Sequence, residues 1–252
     1  MRPLITAIGL LLGWEALVWA TGVPSYILPP PSSVLAVLIE RSDLLVAEAA
    51  WTAAEMVIGL LLGLVLGATL AIVFAASAGW RRWALPLVIV SQAIPVIAIA
   101  PLLVLWLGYG MASKIAMAVL IIYFPVTTAF LDGLRRTDPG WVELARTMDA
   151  GGAALLTQIR IPAALPALAS GLRVAAAVAP IGAVIGEWVG SSAGLGYLML
   201  QANARMQTDL MFAALLVLAA MALLLWLAVD RGARALVPWQ PEAIAHDPQG
   251  VA

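Results

Sequence analysis

Cysteine is absent from the 252-residue chain, and histidine occurs only once, at His246. Without cysteine the chain can form neither a disulfide framework nor a thiolate metal site, and it has no thiol nucleophile. A single histidine in a polar tail cannot complete a histidine-based catalytic triad or a multi-histidine metal site. The sequence also lacks a G-x-x-x-x-G-K-[ST] phosphate loop, which excludes the chain as an ATPase.

Charge is scarce. Charged residues make up 11% of the chain and apolar residues 63%, with a mean hydropathy of +1.03. A soluble domain is typically about half apolar and about a quarter charged. The formal net charge is −1, and no basic block could neutralise a row of phosphates, so nucleic acid is not expected as a partner. The composition therefore predicts one membrane-embedded domain, residues 1–252.

Several apolar stretches are long enough to cross a bilayer, which takes about 20 residues at about 1.5 Å each. They predict an all-α, polytopic membrane protein with about six transmembrane helices, at residues 4–20, 56–80, 83–113, 115–131, 163–189 and 210–229. Because Glu15 interrupts the first stretch, we interpret it as an uncleaved helix and not a signal peptide. Prolines at 24 and 29–31 predict an extended segment after it, followed by a short surface helix at about 33–41.

Arginine and lysine residues set the expected orientation, since they are retained on the cytoplasmic side. With the amino terminus inside, nine arginines fall on inner segments, and only Arg41, Lys114 and Arg205 fall on outer ones. We therefore expect both termini in the cytoplasm, with residues 231–252 as a cytoplasmic tail. Arg173 lies inside the fifth span, where its stem can reach toward the nearer, cytoplasmic surface.

The longest predicted cytoplasmic connection is residues 132–162, between the fourth and fifth spans. A connection of this length is usually functional or disordered. Its apolar residues are spaced to form short amphipathic helices, which could present an apolar face to another protein. The alternative is an ordinary amphipathic connector.

This connection contains Glu143-Leu144-Ala145, followed by Ile159 and Pro162. The pattern resembles the EAA loop of bacterial binding-protein-dependent ABC transporter permeases. The resemblance implies that the loop couples to an ATPase through Glu143, Ala145, Arg146, Asp149, Gly151, Ile159 and Pro162. We expect a short helix there, bracketed by a flexible turn and by Pro162.

Two positions depart from the family pattern. Leu144 replaces an alanine, and Asp149 stands where a glycine is expected. Aspartate tolerates a left-handed backbone better than most residues, so we expect the bend to survive at Asp149, helped by Gly151 and Gly152.

The resemblance covers nearly the whole chain. Residues 26–32, 95–108, 186–188 and 194–197 are similar to the nitrate, sulfonate, taurine and pyrimidine-precursor branch of these permeases. It implies the type I ABC importer permease fold in the bacterial cytoplasmic membrane, no enzymatic activity and no cofactor bound by this chain. ATP and magnesium would bind two partner ATPase subunits; a second permease copy and an external solute-binding protein would complete the importer.

The substrate is less constrained. Residues 180–188 and 199–205 look most like the hydroxymethylpyrimidine (thiamine precursor) group, with taurine, an aliphatic sulfonate or nitrate as alternatives. Arg173 is the only basic residue within a predicted span, which favours a neutral or weakly basic solute over an anion. An ion-coupled secondary transporter is the alternative from a different class, but it would need several buried carboxylates.

Three residues are candidates for the translocation pathway: Gln92, Glu187 and Trp188. Glu187 is ionisable at membrane depth, where a partner or water is expected, although a solvated charge at the outer mouth fits equally well. Gln92 could face the pore or bond a neighbouring helix, and Trp188 could simply anchor the membrane surface. Glycines at every fourth position predict close helix packing, and they are Gly59, Gly63, Gly67, Gly182, Gly186 and Gly190.

Overall fold

The computed structural model describes residues 2–239, with side chains at 6 and 8–239, so His246 and most of the predicted tail lie outside the described residues. Over this range the chain is helical and has no strand, which confirms the all-α prediction. The helices are α1 (Arg2–Thr21), α2 (Pro31–Glu40), α3 (Ser42–Ala76), α4 (Ala78–Ala93), α5 (Val96–Leu107), α6 (Met111–Arg135), α7 (Pro139–Thr147), α8 (Gly152–Ala154), α9 (Ile161–Gly190), α10 (Leu195–Ala204) and α11 (Thr208–Leu236). A π-helical segment, Leu155–Arg160, joins α8 to α9 without a break.

Four helices among the described residues are long and apolar enough to cross a membrane: α3, α6, the continuous helix Gly152–Gly190, and α11. A fifth crossing is formed if α4 and α5, which meet at an angle of 102°, count as one broken span. The first predicted span falls on α1, where Ile8–Thr21 is an apolar helix shorter than a full crossing. The polytopic prediction is thus confirmed, with four or five of the six spans long enough by themselves.

The boundaries differ most at the second and third predicted spans. Helix α3 begins at Ser42, well before the predicted start at residue 56. The prediction took charged residues as the limit of the span, but Glu48 and Glu55 are bonded to Gly194 and Lys114 inside the protein, so the helix includes them. The third predicted span is broken at Ile94, whose ψ of 117° is the extended backbone favoured before a proline. Pro86 and Pro101, in contrast, lie inside α4 and α5.

Helix α6 lies at the centre of the bundle, between α3 and α9. A Cβ atom added at Gly59 of α3 would lie 2.6 Å from the Ala118 Cβ, and one at Gly182 of α9 would lie 2.8 Å from the Ala118 Cα. Farther along, a Cβ at Gly186 would lie 3.0 Å from the Lys114 Cα. Both glycine ladders therefore let the neighbouring backbones approach α6 more closely than any side chain would permit.

Polar contacts fix both ends of this bundle. Glu15 of α1 accepts hydrogen bonds from the Ser32 backbone N–H (3.0 Å) and hydroxyl (2.8 Å), and so binds the first turn of α2. At the other end, the Arg173 Nε of α9 lies 2.6 Å from the Asp230 Oδ1 of α11, and Arg234 pairs with the same carboxylate. Arg173 thus has a partner on a neighbouring helix. Residues 231–236 of the predicted tail continue α11.

Candidate functional site

Helix α7 is a separate short helix within the predicted coupling loop. Its start is fixed by Asp138, whose Oδ1 accepts a 2.7 Å hydrogen bond from the Gly140 N–H, and by Pro139 in the first turn. Proline suits that position because the first turn needs no backbone donor. The predicted short helix therefore has a definite amino-terminal boundary.

The turn after α7 places Asp149 in a left-handed conformation. Its φ is +58°, one of two positive values among the described non-glycine residues. The Ala150 N–H bonds the Ala145 carbonyl (3.0 Å) and the Asp149 N–H bonds the Arg146 carbonyl (3.1 Å), which is the Schellman arrangement for ending a helix. Aspartate thus occupies a position usually taken by glycine, and the expected bend is present.

The expectation that Pro162 brackets the short helix is wrong. The chain is continuously helical from Gly152 to Gly190, and Pro162 lies in the first turn of α9. The π-helical segment Leu155–Arg160 directly precedes it. A π turn is wider than an α turn, so it leaves room for the proline ring, and the missing N–H does not stop the helix. The segment between the Asp149 turn and α9, residues 152–160, is therefore a rigid extension of α9.

An apolar stripe on α7 has no partner within the described chain. Trp141 and Leu144 lie on α7 and Met148 directly follows its last residue. The three are spaced to share one face, and 56%, 62% and 75% of their surfaces are exposed. They line an open groove of about 640 Å³ together with Ile159, Pro162, Pro166 and Trp239. Of the other predicted coupling residues, Ala145 is buried beneath the stripe, whereas Glu143, Arg146, Asp149 and Gly151 are exposed. The loop thus presents an apolar surface bordered by charge.

A second site, which is polar, lies at the opposite end of the bundle, where α3, α6, α9 and α10 meet. We call it the outer cluster, and its residues are Glu48, Thr52, Glu55, Lys114, Glu187 and Ser191. Glu55 of α3 forms an ion pair with Lys114 of α6, and their side chains are 0% and 4% exposed. The Lys114 Nζ also donates a 2.9 Å hydrogen bond to the Ser191 hydroxyl. This ammonium is the only positive charge that pairs with Glu55 within the described chain.

Glu187 is fully buried in the same cluster and holds the start of α10. Its carboxylate accepts hydrogen bonds from the Thr52 hydroxyl at 2.6 Å and from the Gly196 and Tyr197 N–H groups. The Thr52 hydroxyl oxygen also accepts the Leu195 N–H at 2.8 Å. The first N–H groups of a helix have no partner inside the helix and carry partial positive charge. Side chains from α3 and α9 therefore cap α10 from outside it.

Sequence reasoning found only part of this cluster. Glu187 was placed at membrane depth, where a partner or water is expected, and α3 and α10 provide partners for its carboxylate. Lys114 was counted only as one of the outer cations, and the structure adds that it is buried against Glu55. The signal was available: Glu48, Thr52 and Glu55 are separated by four and three residues, and so they share one face of a helix.

The two remaining pathway candidates make interhelical or loop contacts. The Gln92 Nε2 of α4 donates a 3.3 Å hydrogen bond to the Leu120 carbonyl of α6, and its side chain is half-buried. The Trp188 Nε1 donates a 3.1 Å hydrogen bond to the Gly196 carbonyl, while 46% of its surface is exposed. Their part in a pathway stays a prediction.

Comparison with known proteins identifies the family. The profile described as "Binding-protein-dependent transport system inner membrane component" matches residues 59–240. The chain belongs to this family of ABC transporter permeases. The permease is 53% identical to a probable ABC transporter permease protein of Haemophilus influenzae, over 91% of this chain and 94% of that one. It is also 35% identical to the formylaminopyrimidine transport permease ThiX of Halalkalibacterium halodurans, over 95% and 96% of the two chains.

A third relative is the riboflavin transport system permease RibX of Chloroflexus aurantiacus, 36% identical over 94% of this chain and 89% of that one. Among solved structures, the MetNI methionine ABC transporter superposes with a TM-score of 0.69 at 22% identity, covering 78% of the permease and 98% of that chain. The permease therefore has the type I importer fold. It is a multi-pass inner-membrane subunit and not an enzyme, because ATP hydrolysis belongs to a separate subunit.

Proposed function

We propose that the permease forms a homodimer that passes a small pyrimidine-type solute across the cytoplasmic membrane, driven by two ATPase subunits docked on its coupling loops. The observation that carries the coupling role is the exposed stripe on α7. Trp141, Leu144 and Met148 expose apolar surface at the end of the bundle, at a position where the family resemblance expects an ATPase. Burying such surface on a partner is favourable at about 25 cal/mol per Å².

The geometry of the loop suits force transmission. The Asp149 turn sets the direction of α7, and the helical segment that follows it, from residue 152, runs without interruption into α9. Helix α9 carries Glu187 at its far end, where that residue caps α10. A displacement of α7 would therefore reach the outer end of the bundle through one continuous helix. Alternating access follows, with the ATPases drawing the loops together and opening the outer mouth.

The coupling role predicts a specific effect of charge reversal at Glu143. Glu143→Lys should weaken ATPase docking and lower uptake at least tenfold, while membrane insertion is unchanged. The matched control is Glu40→Lys, which changes another exposed carboxylate, on α2. Uptake assays and ATPase co-purification measure the effect. Unchanged uptake together with unchanged co-purification would contradict the proposal.

Two observations support a pyrimidine-type solute. ThiX and RibX, the two relatives above whose names specify a solute, are named for molecules that contain a pyrimidine ring. Lys114 and Arg173, whose ion pairs join neighbouring long helices, are already paired with Glu55 and Asp230. An anion such as taurine's sulfonate would therefore find neither of these two cations free to bind it. Hydroxymethylpyrimidine, a thiamine precursor, is the best candidate.

Uptake competition tests the substrate. Cells with and without the permease gene are given labelled hydroxymethylpyrimidine and an excess of unlabelled formylaminopyrimidine, riboflavin, taurine or nitrate. We expect permease-dependent uptake that formylaminopyrimidine suppresses and taurine does not. Permease-dependent uptake of labelled taurine, with none of the pyrimidine, would overturn the assignment in favour of the sulfonate alternative.

A further inference from the structure

A basic groove lies between α4 and the end of α6, away from both sites described above. It has a volume of about 520 Å³. Arg81 and Arg82, in the first turns of α4, line it together with Arg135 in the last turn of α6. Its floor is apolar and includes Leu85, Ile89 and Val90. Three arginines thus line one groove whose floor is apolar.

These three arginines carry uncompensated charge. The ion pairs among the described residues involve Lys114, Arg173 and Arg234 and none of the three. Arg81 is oriented by its own chain, because its Nη1 donates a 3.2 Å hydrogen bond to the Phe74 carbonyl. Guanidinium groups bind phosphate oxygens in a planar, two-pronged geometry, so a phosphate group suits this end of the groove.

The rest of the groove does not suit a free anion. Arg81, Leu85 and Ile89 are spaced by four residues and form one row along α4, with Arg82 and Val90 in the next row. At 1.5 Å per residue, the apolar part extends about 12 Å below the arginines. Ile89 and Val90 leave 54% and 58% of their surfaces exposed. The ligand that matches this face is charged at one end and apolar along its length.

Two tryptophans place the arginines at the level of lipid headgroups. Trp80 and Trp83 stand on either side of Arg81 and Arg82 in the sequence, and 64% and 79% of their surfaces are exposed. Exposed tryptophans are enriched where a membrane meets water. The α4–α5 pair is also apolar enough to count as a broken span. A bilayer placed at the level of these tryptophans would bring the guanidinium groups beside lipid phosphates and the apolar floor into the hydrocarbon.

We propose that this groove is a binding site for an anionic glycerophospholipid. Arg81, Arg82 and Arg135 hold the phosphate group, and one acyl chain lies along Leu85, Ile89 and Val90. Basic pockets between transmembrane helices are suited to anionic headgroups. The site is separate from the coupling loop and from the outer cluster, so it does not depend on the identity of the transported solute.

Native mass spectrometry of the purified transporter, exchanged into equal amounts of phosphatidylglycerol and phosphatidylcholine, tests the site. We expect the parent protein to retain phosphatidylglycerol preferentially. The double variant Arg82→Gln/Arg135→Gln should lose this preference by about fivefold per arginine, or about 25-fold in total. Arg81 is left in place because it also bonds the Phe74 carbonyl. The matched control, Arg41→Gln/Arg205→Gln, removes two exposed arginines at the opposite end and should keep the preference.

Two further measurements complete the test. Thermal unfolding should show the same midpoint for both double variants, so that lost lipid cannot be ascribed to misfolding. Soluble glycerophosphoglycerol, which has the headgroup without acyl chains, should fail to displace the lipid at equal concentration. If both double variants keep the parent's preference for phosphatidylglycerol, the proposal is overturned. Displacement by the chain-free headgroup would overturn it in favour of a phosphate site, and a preference that vanishes in both variants would indicate net charge alone.

Discussion

Removing the ammonium from the outer cluster is the sharpest perturbation of the buried architecture. Lys114 is the only charge that compensates Glu55 within the described chain, and both side chains are almost completely buried. Lys114→Met keeps the length of the side chain and leaves a buried carboxylate without a partner. Breaking a buried pair from one side typically destabilises a protein by about 3–5 kcal/mol. We expect a loss in that range, because no other cation pairs with Glu55 within the described chain.

The double variant Glu55→Met/Lys114→Met separates this mechanism from simple packing damage. Replacing a whole buried pair by apolar residues of similar volume is often neutral or stabilising. The double variant should therefore recover a large part of the stability that Lys114→Met loses, although it carries one more substitution. Both variants lose the Lys114–Ser191 hydrogen bond, which is worth about 1.5–3 kcal/mol for a charged donor, so this loss does not change the difference between them.

The assay is equilibrium unfolding of the purified permease in mixed micelles, followed by circular dichroism. We expect the parent to be the most stable, the double variant to come next and Lys114→Met to be the least stable. A Lys114→Met variant within about 1 kcal/mol of the parent, or a double variant less stable than the single one, would refute this interpretation of the ion pair.

Three further predictions concern other parts of the fold. Glu187→Gln should slow uptake more than it impairs assembly, because the amide cannot accept both the Thr52 hydroxyl and the α10 N–H groups as a carboxylate does; normal uptake kinetics would count against a functional role for this cap. Asp149→Gly should retain coupling, whereas Asp149→Val should disfavour the left-handed turn by about 1–2 kcal/mol and reduce transport-linked ATPase activity; equal activity in both variants would show that the turn is unimportant. Gly63→Leu should lower the thermal midpoint of the permease, since a Cβ there already lies 2.8 Å from the Ile122 Cβ of α6; an unchanged midpoint would mean that α3 and α6 are not tightly packed.

The helices could be predicted from sequence because hydrophobic length and glycine spacing are local signals. Runs of apolar residues located both ends of α6 and α9 and the start of α11 to within about four residues, whereas α11 continues past the predicted end to Leu236. The Gly59 and Gly182 ladders indicated which helix faces meet. The bend at Asp149 could also be predicted, because the ability to adopt a left-handed backbone conformation is a property of aspartate itself.

The features that could not be predicted from the sequence depend mainly on contacts between residues far apart in the chain. The start of α3 was placed too late because charged residues were taken as span limits, yet Glu55 is compensated by Lys114, 59 positions along the chain. Helix α10 was missed as a helix, since its cap comes from Thr52 and Glu187, which belong to other helices. Pro162 was expected to end a helix, and the π turn that accommodates it leaves no clear signature in the residues themselves.

The central claim is that the stripe on α7 is the docking surface for the ATPase. Because the chain contains no cysteine, Leu144→Cys introduces a unique thiol on that stripe, to which a photoreactive maleimide can be attached. Asn203→Cys, exposed on α10 at the opposite end, is the control. After illumination of the assembled transporter, we predict a covalent adduct with the ATPase subunit from position 144 and none from position 203. An assembled complex whose ATPase co-purifies but forms no adduct from position 144 would contradict the account.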